Sequence, residues 1–342
     1  MRFPWANILL LTFLALELVS GFFGLTSGSE NRAFHMQLHR IAGYGILLTL
    51  VWKTANVLRS LKWDRHVSAR TASLILSILL VVCLATGVAW SLIGPYQWWI
   101  FSGVSWHIYV GAAIIPLLFW HIWYMIRGFP IGFWADRRLF LRTVGAFALG
   151  LVAWQATEGL ARAANLSGQS RRFTGSYKAR DFSGNDFPRV SWLNDSPDPI
   201  DSSTWRLRVH GVVNRELEIT YPVLLANTAE TTATLDCTGG WHSTQRWSGV
   251  ALRDVVGELE PSDTARSVIV RSVTGYYRKF SLNASQDFLL ATHVTEETLS
   301  HGHGYPVRLV APGRRGFEWV KWVTEIEFSE TPHWWQPPLP IQ

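Results

Sequence analysis

The chain has 342 residues, 48% hydrophobic and only 16% charged, with 31 Lys+Arg against 25 Asp+Glu and 19 tryptophans. A net charge of +6 on so apolar a chain suits membrane anchoring with interfacial aromatics, and it argues against a nucleic-acid binder. Two cysteines are present, Cys83 in an apolar run and Cys237 alone in the polar C-terminal half, which excludes an internal disulfide from that half.

Five apolar runs, near 6–26, 40–58, 72–93, 106–126 and 143–161, each approach the ~20 residues that a bilayer demands. Loop charge orients them. Arg59, Lys62, Arg65 and Arg70 precede the third run, Arg127, Arg137, Arg138 and Arg142 follow the fourth, and 94–105 between them is uncharged. The positive-inside rule then puts the N-terminus inside and the C-terminal half outside.

Histidines within such runs need an explanation. His107 and His121 lie fourteen residues apart on the fourth run, so both imidazoles share one helix face, about 21 Å apart along the axis. The second run opens with His35 and His39 and runs parallel to the fourth. His39 and His107 are expected to meet near the outer face as a bis-histidine pair for one haem b, with His35 one turn earlier. Fourteen residues beyond His39 stands Lys53, whose amine is expected to snorkel to the inner surface. That leaves His121 to His66 of the loop after the second run, to a hydrogen bond within the bundle, or to no ligand role. Cys83 reads as a small packing residue. This half resembles, loosely, the four-helix cytochrome b subunits of respiratory enzymes. The resemblance implies haem b, with a second haem left open, and quinone or quinol as a partner in the lipid.

Asp136-Arg137-Arg138-Leu139-Phe140-Leu141-Arg142 resembles the twin-arginine export motif and is followed at once by an apolar helix. Arginines flanking any span would look the same, yet that route carries folded, cofactor-loaded domains. The stretch 165–203, rich in Gly, Ser, Asp and Pro, reads as a linker and lead-in. The expected organisation is a four-helix membrane domain over 1–130, the export motif and fifth helix over 131–165, a linker over 166–204, a catalytic domain over 205–332 and a tail over 333–342.

A lone thiolate can ligate a metal or attack as a nucleophile. Cys237-Thr238-Gly239-Gly240-Trp241 sits among several further blocks in order. Trp205-Arg206-Leu207-Arg208-Val209-His210-Gly211 reads as an opening strand and Tyr221-Pro222-Val223-Leu224-Leu225 as a helix start. Trp247-Ser248-Gly249-Val250 follows the cysteine loop, where a helix is expected. Thr274-Gly275-Tyr276 reads as a turn. His303-Gly304-Tyr305-Pro306-Val307-Arg308-Leu309-Val310 and Gly316-Phe317-Glu318-Trp319-Val320-Lys321-Trp322 complete the set. Together, 205–328 resembles the molybdopterin domain of the sulfite oxidase family. The fold class that follows is an all-α transmembrane bundle of about five spans, then an α+β sulfite oxidase-like domain.

The resemblance implies a molybdenum–molybdopterin cofactor with Cys237 as the soft ligand. It implies Ser272, His303, Arg308, Trp319, Val320 and Lys321 as pterin contacts, and Tyr276 as a phenol facing the metal. Gly184-Asn185-Asp186-Phe187-Pro188 resembles the family's Asn-x-x-Pro segment, so Asn185 is a further pterin contact or else a loop-capping asparagine. Where animal and plant sulfite oxidases place substrate-holding arginines, this chain has Gly184 and Gly240-Trp241-His242, which argues against sulfite. The Cys-x-x-x-Trp spacing is closer to the bacterial periplasmic branch that includes methionine-sulfoxide reductases.

The resulting expectation is a multi-pass enzyme of the bacterial inner membrane with its catalytic domain outside. It would exchange electrons with the quinone pool through haem b and reduce an oxidised substrate such as a sulfoxide. A sulfite oxidase-like enzyme passing electrons inward, and a haem carrier with a non-catalytic docking domain, are the alternatives.

Overall fold

The computed structural model describes residues 3–60, 67–125, 137–180, 183–191, 195–226, 229–257, 259 and 261–340. His66, Lys62, Arg65, Arg127 and Asp136 lie outside the described residues, as do the side chains of Arg59 and Arg70. The chain divides into one unit of residues 1–25 and 31–177 and a second of 26–30 and 178–342.

The first unit holds α1 (Pro4–Thr26), α2 (Phe34–Ser60), α3 (Val67–Ile93), a small hairpin of β1 (Gln97–Trp98) and β2 (Phe101–Ser102), α4 (Gly103–Met125) and α5 (Arg137–Ala163). All five helices are long and apolar enough to cross a membrane. Each extends beyond the apolar run expected for it, because a helix satisfies its own backbone and its polar ends can continue the ladder. Arg137 and Arg138 accordingly form the first turn of α5. Helix α3 packs on α4 and α2 on α5 around Leu9, Phe13, Ala42, Ile46, Leu80 and Ile114. The α2–α5 contact is a backbone approach: a Cβ on Gly150 would lie 2.6 Å from the Ile41 carbonyl oxygen and 3.1 Å from Gly45 N. Glycines at both positions permit backbones to come this close.

Residues 167–177, expected as linker, belong to this helical unit. Arg171 pairs with Glu158 of α5 and donates to the Ser91 carbonyl of α3 at 3.0 Å. Arg40 donates to the Phe173 carbonyl at 2.9 Å, and Trp90 Nε1 to the Gly175 carbonyl at 2.7 Å. Strand β3 (Tyr177–Lys178) marks the division between the units.

The second unit contains β4 (Arg206–Gly211), β5 (Leu217–Thr220), α6 (Tyr221–Ala226), β6 (Ala229–Asp236), β7 (Trp241–Ala251), α7 (Leu252–Gly257), β8 (Ser267–Ser272), β9 (Tyr277–Ser281), α8 (Leu282–Ser285), β10 (Leu289–Val294), β11 (Glu297–Thr298), β12 (Arg308–Val310) and β13 (Val323–Ser329). One sheet runs β5-β4-β13-β8-β9, parallel at β4–β13 and otherwise antiparallel. In the other, β7 pairs with β6 and β10, and β10 also carries β11 and β12. Leu207 and Val209 alternate inward from β4, and Ile326 and Phe328 from β13, into a core shared with Trp247, Phe280 and Leu290.

The block after Cys237 departs from expectation. Residues 241–251 form a strand of eleven residues, and the helix waits until Leu252. Buried Ser243, Gln245 and Trp247 repeat every second residue there, a strand period that a helix cannot match.

Leu207→Ala, at a fully buried position in β4, is expected to destabilise the second unit by about 2–5 kcal/mol. A lower denaturant midpoint at unchanged m-value checks it.

Candidate active site

Strand β6 ends at Asp236 and β7 begins at Trp241, so Cys237 stands in the hairpin turn between them. The turn closes through Cys237 N–H to the Trp241 carbonyl at 2.9 Å and Gly240 N–H to the Cys237 carbonyl at 3.1 Å. Gly240 takes φ +92°, a value that a side chain would strain. Arg315 clamps the turn from behind: it donates to Asp236 Oδ1 at 2.8 Å and to the Cys237 carbonyl at 3.3 Å. The thiol accepts from Gly239 N–H at 3.3 Å. Burial pushes the Cys237 thiol up, opposed by that N–H and by the nearby charges of Arg315 and Lys321.

Cys237 opens onto a cavity of about 90 Å³ whose lining includes Trp241, Ser272, Tyr276, His303, Arg308, Phe317, Trp319 and Lys321. Arg308 is 2% exposed, its guanidinium over the rings of Trp247 and Trp319 at 5.4 and 5.8 Å. It donates to the His303 carbonyl at 3.1 Å, while its Nε and the indole N–H of Trp319 are buried without a partner among the described residues. Burial pulls Arg308 down to about 9. Lys321 donates to the Gly302 carbonyl at 2.7 Å and to Ser191 Oγ at 3.3 Å. Its amine is lowered to about 7 by burial and then by Arg308. No ion pair to either cation occurs among the described residues.

His303 is lowered to about 4 by burial and is therefore neutral near pH 7. Its Nε2 donates to the Phe187 carbonyl at 2.9 Å, which leaves Nδ1 to accept from Ser300 Oγ at 2.8 Å. It shapes the wall rather than supplying charge. Ser272 is buried, its Oγ accepting from Thr274 N–H at 3.3 Å and Thr274 Oγ1 at 3.1 Å. The Tyr276 phenol lines the cavity and donates to the Phe317 carbonyl, and burial raises its pKa.

Two expected contacts are not brought to the cavity. The Asn185 amide donates to Glu297 Oε2 and to the Thr298 carbonyl, both at 2.9 Å, and its oxygen accepts from Ser300 N–H at 2.7 Å. These bonds tie the 184–186 turn to the 297–300 segment. Val320 is buried and outside the lining, its carbonyl accepting from Leu309 N–H at 2.7 Å. Arg315 was not singled out from sequence; its one signal is its place beside the Gly316–Lys321 block.

In the helical unit, His39 and His107 meet with ring centroids 5.9 Å apart and planes at 89°. His39 Nδ1 lies 2.5 Å from Glu17 Oε2, and His107 Nδ1 donates to the Cys83 carbonyl at 2.8 Å. Neither Nε2 has a hydrogen bond among the described residues. His35 stacks on Phe23 and does not join the pair. Lys53 Nζ donates to Asn7 Oδ1 of α1 at 3.0 Å, and Lys53 lines one cavity with His121.

Residues 194–335 match the sequence model of the oxidoreductase molybdopterin binding domain. Chicken (Gallus gallus) sulfite oxidase is 31% identical over 182 residues, 42% of this chain and 39% of that protein. The NADH nitrate reductase of Spinacia oleracea is 29% identical over 163 residues, 37% of this chain and 18% of that protein. These residues are a molybdopterin-binding oxidoreductase domain. The structure of the sulfane dehydrogenase SoxCD from Paracoccus pantotrophus matches at 26% identity over 39% of this chain and 40% of that one, with a TM-score of 0.37. The chain spans under two-fifths of the length of the curated relatives named here.

The cavity residues of the molybdopterin domain fit its cofactor. A buried Arg308 and a half-buried Lys321, neither with an ion-pair partner among the described residues, and two N–H groups with no hydrogen bond there suit an anionic, hydrogen-bonding guest such as a phosphate-bearing pterin. Cys237 supplies the soft donor. When bound, the cofactor supplies two-electron oxygen-atom chemistry; Arg308, Lys321 and Trp319 would hold it and the clamped turn would aim the sulfur.

Lys321 gives loading a sign with pH. Burial lowers its amine from the ordinary 10.5 to about 7. An adjacent anion favours the protonated form, so loading takes up a proton and should weaken as pH rises above about 7. In Lys321→Met the slope between about pH 7 and 8 should flatten, leaving the contribution of Arg308 near pH 9. Cofactor retention across pH 6–9, read as molybdenum per chain, checks both.

Proposed function

We propose that the chain is a membrane-bound oxidoreductase that reduces an uncharged oxidised substrate, such as a sulfoxide, at the Cys237 site on the extracytoplasmic face. Electrons come from membrane quinol through haem b held by His39 and His107.

The lining beside Cys237 carries the substrate assignment. Trp241, Phe317, Tyr276 and Leu235 share the cavity lining with Cys237, the polar Ser191, Thr238 and Asp195 add no positive charge to it, and its two cations are those already given to the cofactor. An anion such as sulfite would want further positive charge, and Gly184 and Gly240 stand where sulfite oxidases carry it. A neutral sulfoxide asks only for apolar surface and a hydrogen bond to its oxygen. The likeness to chicken sulfite oxidase favours the second reading, sulfite oxidation with electrons passing inward.

The His39–His107 pair supports the relay. Imidazoles that iron will hold are usually fixed through the other nitrogen, and here Glu17 and the Cys83 carbonyl occupy Nδ1 on both sides. The five apolar helices and the placement of loop arginines support the outward orientation.

Full-length protein in membrane vesicles, supplied with a short-chain quinol, should consume aryl methyl sulfoxides and leave sulfite untouched; sulfite-driven quinone reduction would overturn the direction. Cys237→Ser should lower turnover by more than about 100-fold, beyond what loss of an outer-shell partner costs. His39→Ala and His107→Ala should each abolish a low-spin haem spectrum while molybdenum content holds. Protease added to intact spheroplasts should degrade 205–328, and protection there would invert the topology.

A further inference from the structure

A second cavity, of about 280 Å³, lies among α1, α2, α3 and α4. Its wall is mostly apolar, Leu14, Leu80 and Ile114 included, and two basic side chains stand in it, Lys53 of α2 and His121 of α4, with Asn7, Thr54, Ser73 and Ser77 as the other polar ones. Each is steadied from a neighbouring helix. Lys53 Nζ donates to Asn7 Oδ1 of α1 at 3.0 Å, and His121 Nδ1 lies 3.3 Å from Ser73 Oγ of α3. Two ammonium protons of Lys53 and Nε2 of His121 then have no hydrogen bond among the described residues.

An ammonium against an apolar cavity costs free energy unless an oxygen accepts from it. A second haem suits this chemistry poorly. Where the outer pair has two imidazoles, this one offers an ammonium, which has no lone pair for iron while protonated. The space also sits at the small end of ordinary small-ligand pockets, roughly 300–1,000 Å³. A single ring with two opposed oxygens and an apolar tail suits it better.

We propose that this cavity binds the head ring of a quinone. One ring oxygen accepts from Lys53 Nζ. The other accepts from Nε2 of a neutral His121 whose Nδ1 takes the Ser73 hydroxyl proton, and the tail leaves among apolar side chains toward lipid. The proposal rests on the reading that this half exchanges electrons with membrane quinone, and it supplies the place.

Full-length protein in lipid nanodiscs is titrated with decylubiquinone, followed by quenching of tryptophan emission, with decyl alcohol as a tail-only competitor. Binding should saturate, and decyl alcohol should not displace it. Lys53→Met and His121→Phe should each weaken it at least about tenfold, the scale of one lost charge-assisted hydrogen bond. Lys53→Arg, which keeps a donor, should retain most of the affinity, and Ser73→Ala, a gentler change, should weaken it a few-fold. Haem and molybdenum per chain should be unchanged throughout. Equal affinity in Lys53→Met, His121→Phe and wild type, or displacement by decyl alcohol, overturns the proposal. So does loss of a haem equivalent in His121→Phe, which makes the cavity a haem site. Haem-containing protein that binds no decylubiquinone overturns the cavity assignment alone; quinone binding by haem-free protein overturns the relay alone.

Discussion

The buried pair of Asp236 and Arg315 holds the catalytic half together where it matters. Their side chains are 2% and 4% exposed, so neither charge has water to fall back on. Removing one partner from such a pair typically costs about 3–5 kcal/mol, because the other is left uncompensated. The pair joins the β6–β7 hairpin, which carries Cys237, to the segment that carries Phe317, Trp319 and Lys321. A Cβ on Gly316 would lie 3.3 Å from the Cys237 Cα, so the two segments are in direct backbone contact. The sulfur and the cationic wall are thereby parts of one rigid object.

Much of that object could be read from residue order. The strand at 206–211, the helix at 221–226, the cysteine loop and the cation-bearing blocks are local patterns, and local patterns survive in a linear chain. Asn185 and Val320 were harder to place. Whether an asparagine amide reaches a ligand or a neighbouring loop depends on Glu297, Thr298 and Ser300, more than a hundred residues away. No spacing near Asn185 encodes that contact. The eleven-residue strand after Cys237 was legible in principle from its alternation, but motif resemblance pointed to a helix.

The helical half was legible to a different degree. Helix number follows from the demand that backbone polar groups be satisfied within apolar surroundings, and His39 facing His107 follows from parallel helices with matched offsets. Lys53 shows the limit of that reasoning. A long amine beside an apolar run ordinarily extends toward water. Asn7, one helix away, offers it an oxygen at 3.0 Å, and the helix neighbours that bring it there are a tertiary fact.

Arg308 and Lys321, without an ion-pair partner among the described residues, also bear on the life of the polypeptide before it acts. An empty domain carries the cost of desolvated charge, and a bound anion removes it, so the loaded form is selectively stabilised. At a free cofactor concentration a hundred times Kd, that linkage amounts to about 2.7 kcal/mol. Chains that miss their cofactor would visit open states about a hundred times more often. The cell's proteases would then sort finished molecules from unfinished ones, with no dedicated inspection step.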